Sequence, residues 1–207
     1  MNGSTFWKRG QPLLLASGSA TRRQMLEAAG IPLVVVRAPV DEGAIAATLL
    51  ETRRTPAEIA IALAHAKAEA AARKHPEELL LAADQTLDHQ GRLLMKPADL
   101  DHARAQLLSL RGTAHFLHSA AVLRRGDSVL WAGIASASLQ MRNFSAAFLD
   151  AYLDSMGPLV TTTVGGYQLE ALGIHLFDSI EGDHSTILGL PLIPVLHALR
   201  DLDCLAA

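Results

Sequence analysis

The segment Leu13–Arg23, reading LLLASGSATRR, constrains this chain more than any other. Leu13–Ala16 is too short for a membrane span and reads as a buried strand. Ser17, Gly18, Ser19 and Ala20 then let the backbone approach a ligand closely, and Arg22 and Arg23 follow in the expected first turn of a helix. N–H groups at such a helix start point at whatever covers the loop, serine hydroxyls add donors, and guanidinium groups fork onto phosphate oxygens. The order predicts a polyphosphate site. The plain alternative is that Ser19 only caps the helix and the arginines face solvent; that is the commoner outcome for each residue alone, and only the clustering favours a ligand.

The chain has 207 residues, half of them apolar, enough for one large domain or two lobes sharing a core. A net charge of −3 argues against a broad electrostatic grip on nucleic acid, so anion binding must be local. Cys204 is the single cysteine, which excludes an internal disulfide and a cysteine-based zinc site. Lys8 and Arg9 before LLLASGSA imitate a secretion signal, but the apolar stretch is about four residues against the usual seven or more, so the expected compartment is the cytoplasm, with no membrane partner. Residues 1–12 read as a loose extension and 13–207 as a single unit.

Along the chain, a first helix should start near Ser19 and stop at Gly30, followed by a strand Leu33–Ala38. Asp41 and Glu42 come just after that strand, as simple turn acids or as ligand groups. Thr55-Pro56-Ala57-Glu58 is a well-formed helix start, and the helix should reach about Lys74 with an apolar stripe through Ile59, Leu63, Ala66 and Ala70. Lys67 lies on or beside that stripe; it either snorkels out or reaches a buried anion, and the phosphate loop favours the anion. A buried strand Leu79–Ala83 should deliver Asp84 at its end, a costly position unless the carboxylate is hydrogen-bonded or binds a metal. Gln85 and Thr86 follow, then a hairpin Leu87–Leu94, then Lys96, a cation beside the expected pocket.

Asp99 should cap a helix through Leu110, and two longer strands, Ala114–Leu123 and Ser128–Gln140, should form a hairpin. His115 and His118 fall on opposite faces of the first, a poor arrangement for one metal, and read as structural or surface residues. Helices Ser145–Met156 and Leu192–Leu202 close the pattern, with a turn at Gly165-Gly166 and a candidate pocket acid, Glu170, between them.

Seven segments in order, LLLASGSATRRQML, PVDE, LAHAKA, ADQT, LLMKP, GGYQLEALG and EGDHSTILGLPL, resemble the Maf family of nucleotide pyrophosphatases over about Leu13 to Leu202, and are most similar to its 7-methyl-GTP branch. The resemblance implies an α/β fold like that of the Maf and inosine-triphosphate pyrophosphatase group, with an elongated mixed β-sheet flanked by helices and two lobes around a central cleft. It also implies an enzyme that cleaves a nucleoside triphosphate between its α- and β-phosphates with a divalent metal cation, Mg²⁺ or Mn²⁺, and it admits a homodimer. Carried over by residue, Asp84, Lys67 and Lys96 are the expected catalytic groups, and Glu42 with Asp84 the expected metal ligands. Ser17, Ser19 and Arg22 are expected to bind phosphate, while Thr21, Gln85 and Glu170 fall where the family's branches differ in base choice. The Gln85 and Glu170 combination favours a guanine-type base, because a carboxylate accepts from guanine N1–H and N2–H₂ whereas uracil and thymine offer one such donor. Thr21 departs from the arginine or large aromatic common at its position. Three other readings stay open: a dTTP/UTP pyrophosphatase, a nucleotide-binding division regulator without catalysis, and a dinucleotide-binding dehydrogenase, the last weakened by the lack of GxGxxG spacing.

Overall fold

The computed structural model of the chain describes residues 6–206. Its centre is the strand β1 (Leu13–Ala16), buried at every residue, which runs parallel to β2 (Leu33–Val35) on one side and to β3 (Leu80–His89) on the other. A hairpin joins β3 to the short β4 (Arg92–Leu94); β5 (Ala114–Arg125), β6 (Ser128–Met141) and β7 (Phe177–Glu181) extend the sheet antiparallel, in the order β2-β1-β3-β5-β6-β7. The sheet is therefore mixed, as expected. The expected strand ending at Ala83 and the separate hairpin are instead one long strand, because β5 pairs with β3 without interruption from Leu80 to Asp88. Asp84 lies in mid-strand, not at a strand end.

The other edge of β3 is shared. β1 covers Leu80–Ala82 and β4 covers Leu87–His89, which leaves Ala83–Thr86 without a strand neighbour on that side. Side chains alternate along a strand, so one face of β3 gives Leu81 and Ala83 to a core under the first lobe and Leu87 to a separate core under the second, with Gln85 between them. The opposite face gives Leu80 and Ala82 to a third cluster, then presents Asp84 and Thr86. The cleft between the lobes opens at the break in the sheet edge.

Helix α1 (Ala20–Ala28) is capped by Ser19, whose Oγ accepts from the Arg22 N–H, and it stops before Gly30, which adopts φ 75°. Helix α2 (Glu42–Glu51) was not expected. The turn acid Asp41 is its cap, accepting from the Ala44 N–H at 2.9 Å, and this puts Glu42 in the first helical turn. Helix α3 (Pro56–Ala72) starts in a capping box between Thr55 and Glu58. Its sheet-facing residues are Ala60, Ala64, Ala68 and Ala71, with Lys67 buried among them, whereas Ala66 and Ala70 of the expected stripe are half-buried. Small side chains let α3 lie close on β3 and β5, which brings Lys67 within reach of the strand.

The second lobe is built from α4 (Leu100–Leu110) and α5 (Ala146–Met156), followed by short 3₁₀ turns between Gly157 and Leu176. The first lobe is closed by α6 (His184–Ile187) and α7 (Leu192–Asp201). Of the expected N-terminal extension, residues 1–5 lie outside the described residues. Trp7 forms a bridge with Leu205 and packs on the first-lobe core, and Lys8 donates from its backbone to the Cys204 carbonyl at 2.9 Å and pairs with Asp203 at 2.5 Å. Burying part of an indole offsets the entropy of ordering this short segment.

Candidate active site

A cavity of about 800 Å³ occupies the break in the sheet edge, and its lining includes Ser17, Ser19, Thr21, Arg22, Glu42, Lys67, Asp84, Gln85, Lys96 and Glu170. Every site residue expected from the sequence therefore faces one space, although they come from six separate stretches of chain.

The floor is the first loop and Arg22. The Arg22 Nη1 donates to the Ser17 Oγ at 3.0 Å and to the Ala83 carbonyl at 2.9 Å, and its Nε donates to the Gly189 carbonyl at 2.7 Å. Three of the five guanidinium N–H groups are thus spent on the protein, and the two on Nη2 remain for a ligand. Burial pushes the guanidinium pKa down, and the carboxylates of Asp84 and Glu42 oppose that shift. Gly189 was not singled out in the sequence; it adopts φ +101°, and a Cβ there would come 3.3 Å from Arg22, so the Arg22 tie demands glycine at this turn. The Ser17 Oγ accepts from Arg22 and from the Ser19 N–H, and the Ser19 Oγ accepts from the Arg22 N–H. Both hydroxyls keep their own proton to donate, which suits them to an anion.

One wall carries the charges. The Lys67 Nζ lies 2.9 Å from the Glu42 Oε1 and in direct contact with the Asp84 Oδ1. Lys67 thus reaches one buried anion, Asp84, and a second, half-exposed carboxylate, Glu42. Lys67 and Asp84 are buried and Glu42 is half in solvent. Burial raises the Asp84 pKa, the Lys67 and Arg22 cations pull it down, and Glu42 adds to the rise. Among the described residues no group of three or more His, Cys, Asp or Glu side chains is placed to hold a metal ion. Two hard carboxylates fit a different case, an Mg²⁺-type cation that completes its shell with water and substrate phosphate oxygens. Lys96, exposed on the segment after β4, makes no ion pair among the described residues.

Another part of the cavity is lined by residues the sequence connected only loosely. The Gln85 Nε2 lies 3.1 Å from the Ser119 Oγ, 3.1 Å from the Thr186 carbonyl and 2.9 Å from the Ile187 carbonyl. Carbonyl acceptors fix which end of the amide is nitrogen, and its two hydrogens are used there; Gln85 can offer a ligand only its carbonyl oxygen. Thr21 is half-buried in the first turn of α1, and Glu170 is exposed on the rim after the buried Leu169. The rim is anchored by Tyr167, whose hydroxyl lies 2.7 Å from the His115 Nε2 and whose ring meets Phe177 edge-on at 4.9 Å. The positive-φ residues Gly165 and Gly166 precede it, so the expected turn at the paired glycines is the device that turns Tyr167 inward.

His115, expected as structural or surface, is fully buried, with its Nδ1 unpartnered among the described residues. Burial, with a smaller contribution from His89, lowers its pKa from 6.5 to about 4. Between those values the unfolded chain binds the proton and the folded one does not, so stability falls as pH drops from 6.5 toward 4. The shift corresponds to roughly 3 kcal/mol. Urea unfolding at several pH values should therefore give a flatter profile across this window for His115→Gln than for the wild type; parallel profiles would show that His115 does not carry the dependence.

Among the described residues no helix is long and apolar enough to cross a membrane. The family described as "Maf-like protein" matches residues 12–202. A nucleoside triphosphate pyrophosphatase of Rhodopseudomonas palustris (strain BisB18) is 46% identical over 98% of this chain and 99% of its own length. One of Caulobacter vibrioides is 49% identical over 91% of this chain and 94% of its own length. Among solved structures, a HAM1 protein from Coxiella burnetii superposes with a TM-score of 0.41 at 16% identity, covering 64% of this chain and 74% of that one, a distance at which it adds nothing to the sheet order described above.

Proposed function

The chain belongs to the Maf family and is a nucleoside triphosphate pyrophosphatase, and we propose that it hydrolyses the α–β phosphoanhydride of a guanine-type nucleotide such as 7-methyl-GTP. The observation that carries the catalytic part is the buried Asp84 carboxylate held between Lys67 and Arg22 at the break in the sheet edge.

Phosphoanhydride hydrolysis needs charge neutralised along the polyphosphate and a water oriented in line with the leaving group. The hydroxyls of Ser17 and Ser19, the N–H groups at the start of α1, the Nη2 of Arg22 and the Lys96 ammonium supply donors for the phosphate oxygens. Asp84 accepts the proton of the attacking water. Burial makes its carboxylate a stronger base than an exposed aspartate, and the neighbouring cations keep it ionised for that role. Lys67 stabilises the negative charge that grows on the leaving pyrophosphate. Glu42 and Asp84 would hold a hydrated Mg²⁺ or Mn²⁺, which supplies further neutralisation of phosphate charge.

For the base, the support is the hydrogen-bond arithmetic of Gln85 and Glu170. Gln85 has spent both amide hydrogens and Glu170 has none, so both can only accept. Two acceptors suit a ring edge rich in donors, and guanine offers N1–H and N2–H₂ where uracil and thymine offer N3–H alone. A methylated, positively charged ring adds attraction to the Glu170 carboxylate.

The test is pyrophosphate release from 7-methyl-GTP, GTP, UTP and dTTP with Mg²⁺ or Mn²⁺, for wild type and Glu170→Ala. The wild type should favour the guanine nucleotides. Loss of one charge-assisted hydrogen bond at an exposed rim should lower kcat/KM for 7-methyl-GTP about tenfold and for UTP far less. Equal losses would remove Glu170 from base reading, and a preference for dTTP or UTP would overturn the guanine reading.

A further inference from the structure

The pair of carboxylates that would hold a divalent cation already holds a monovalent one. The Lys67 Nζ sits 2.9 Å from the Glu42 Oε1 and touches the Asp84 Oδ1, with its side chain about 10% exposed. Two carboxylates this close favour a cation between them, and the ammonium meets that need. A metal ion taking the same two oxygens competes with it: Mg²⁺ draws carboxylate oxygens to about 2.0–2.1 Å and would repel an ammonium in contact with them. The helix that carries Lys67 cannot give way, because Ala64, Ala68 and Ala71 lock it to the sheet. The side chain can, through its four-carbon stem, and the cavity it lines offers room.

We propose that Lys67 is a built-in competitor of the divalent cation, occupying the Glu42–Asp84 position until metal enters and then swinging into the cavity toward the phosphate oxygens. The inference rests on the metal assignment made above for these two carboxylates, but not on the choice of base. It makes the ammonium a place-holder that keeps the two carboxylates aligned, and it makes metal entry the event that delivers a positive charge to the polyphosphate. Because two carboxylates leave most of the metal's shell to water and phosphate, displacement of Lys67 is easiest when phosphate oxygens are present to receive both cations.

The experiment is titration of the full chain with Mn²⁺ alone, with free Mn²⁺ read by electron paramagnetic resonance and no nucleotide present. Wild type, Lys67→Met and Lys96→Met are compared, the last removing a charge from the same cavity without touching the carboxylate pair. Lys67→Met should bind Mn²⁺ at least tenfold more tightly than wild type, while Lys96→Met should change affinity less than threefold. Unchanged or weaker binding by Lys67→Met overturns the proposal, and so do equal gains in the two variants, which would reflect net charge alone. Absence of Mn²⁺ binding by all three removes the metal from this pair while leaving the pyrophosphate-release panel untouched. If Lys67→Met fails to fold, Lys67→Gln carries the same expectations with the stem length retained.

Discussion

Asp84→Asn is expected to lower kcat for pyrophosphate release by at least ~100-fold, the range typical of a lost general base. The substitution keeps the size and the position in mid-strand, so binding of the nucleotide should change much less than the rate. What disappears is the proton acceptor and the charge that Lys67 and Arg22 surround. The asparagine also removes one of the two carboxylates proposed to hold the divalent cation, so kcat should collapse while KM changes little. Steady-state kinetics on the preferred nucleotide decide it: a variant that keeps more than about a tenth of the wild-type kcat would place the base elsewhere.

The largest expected effect on stability is at Arg22. Arg22→Met should cost about 3–5 kcal/mol, as expected for removing one partner from a buried charged network. The Ser17 hydroxyl, the Ala83 carbonyl and the Gly189 carbonyl each lose a donor, and Asp84 loses one of its compensating cations. Arg22→Lys should recover little, because the lysine stem is shorter and its single nitrogen cannot stand where both Nε and Nη1 stand to serve three acceptors in three directions. Urea unfolding measures the loss, and a cost below about 1 kcal/mol would make Arg22 a ligand contact rather than the tie between the first loop, β3 and the Gly189 turn.

These two residues also mark how far the sequence could be read. The run LLLASGSATRR is legible because its signals are local: an apolar run, small residues, a cap and charges at fixed offsets. Lys67 lies beside the expected stripe, but the buried face it shares is that of Ala60, Ala64 and Ala71 rather than Ala66 and Ala70, and its carboxylate partners lie on other elements that helical spacing does not reach. The continuation of β3 beyond Ala83 was hidden because Asp84, Gln85 and Thr86 interrupt the apolar pattern, and only pairing with residues 116–120 keeps the strand going. Helix α2 has Ala46 as its one buried residue, too little for a periodic signal, so Asp41 read as a turn acid instead of a cap. Arg22 and Gln85 also donate to carbonyls more than a hundred residues away, at 189 and at 186–187, a connection that no spacing rule supplies.

The unbroken pairing of β3 with β5 has a mechanical consequence. Enzymes that engulf a substrate by swinging two bodies together need a bendable strip of backbone between them. Here the strip that joins the lobes is β3 itself, tied to β5 from Leu80 to Asp88 straight through Asp84. Jaw-like closure at the floor would tear that ladder. On the proposed reading, the grip on a nucleotide tightens through long side chains such as Lys67 and Lys96 and through the turns around Gly165 and Gly166, while Asp84 stays fixed in the ladder.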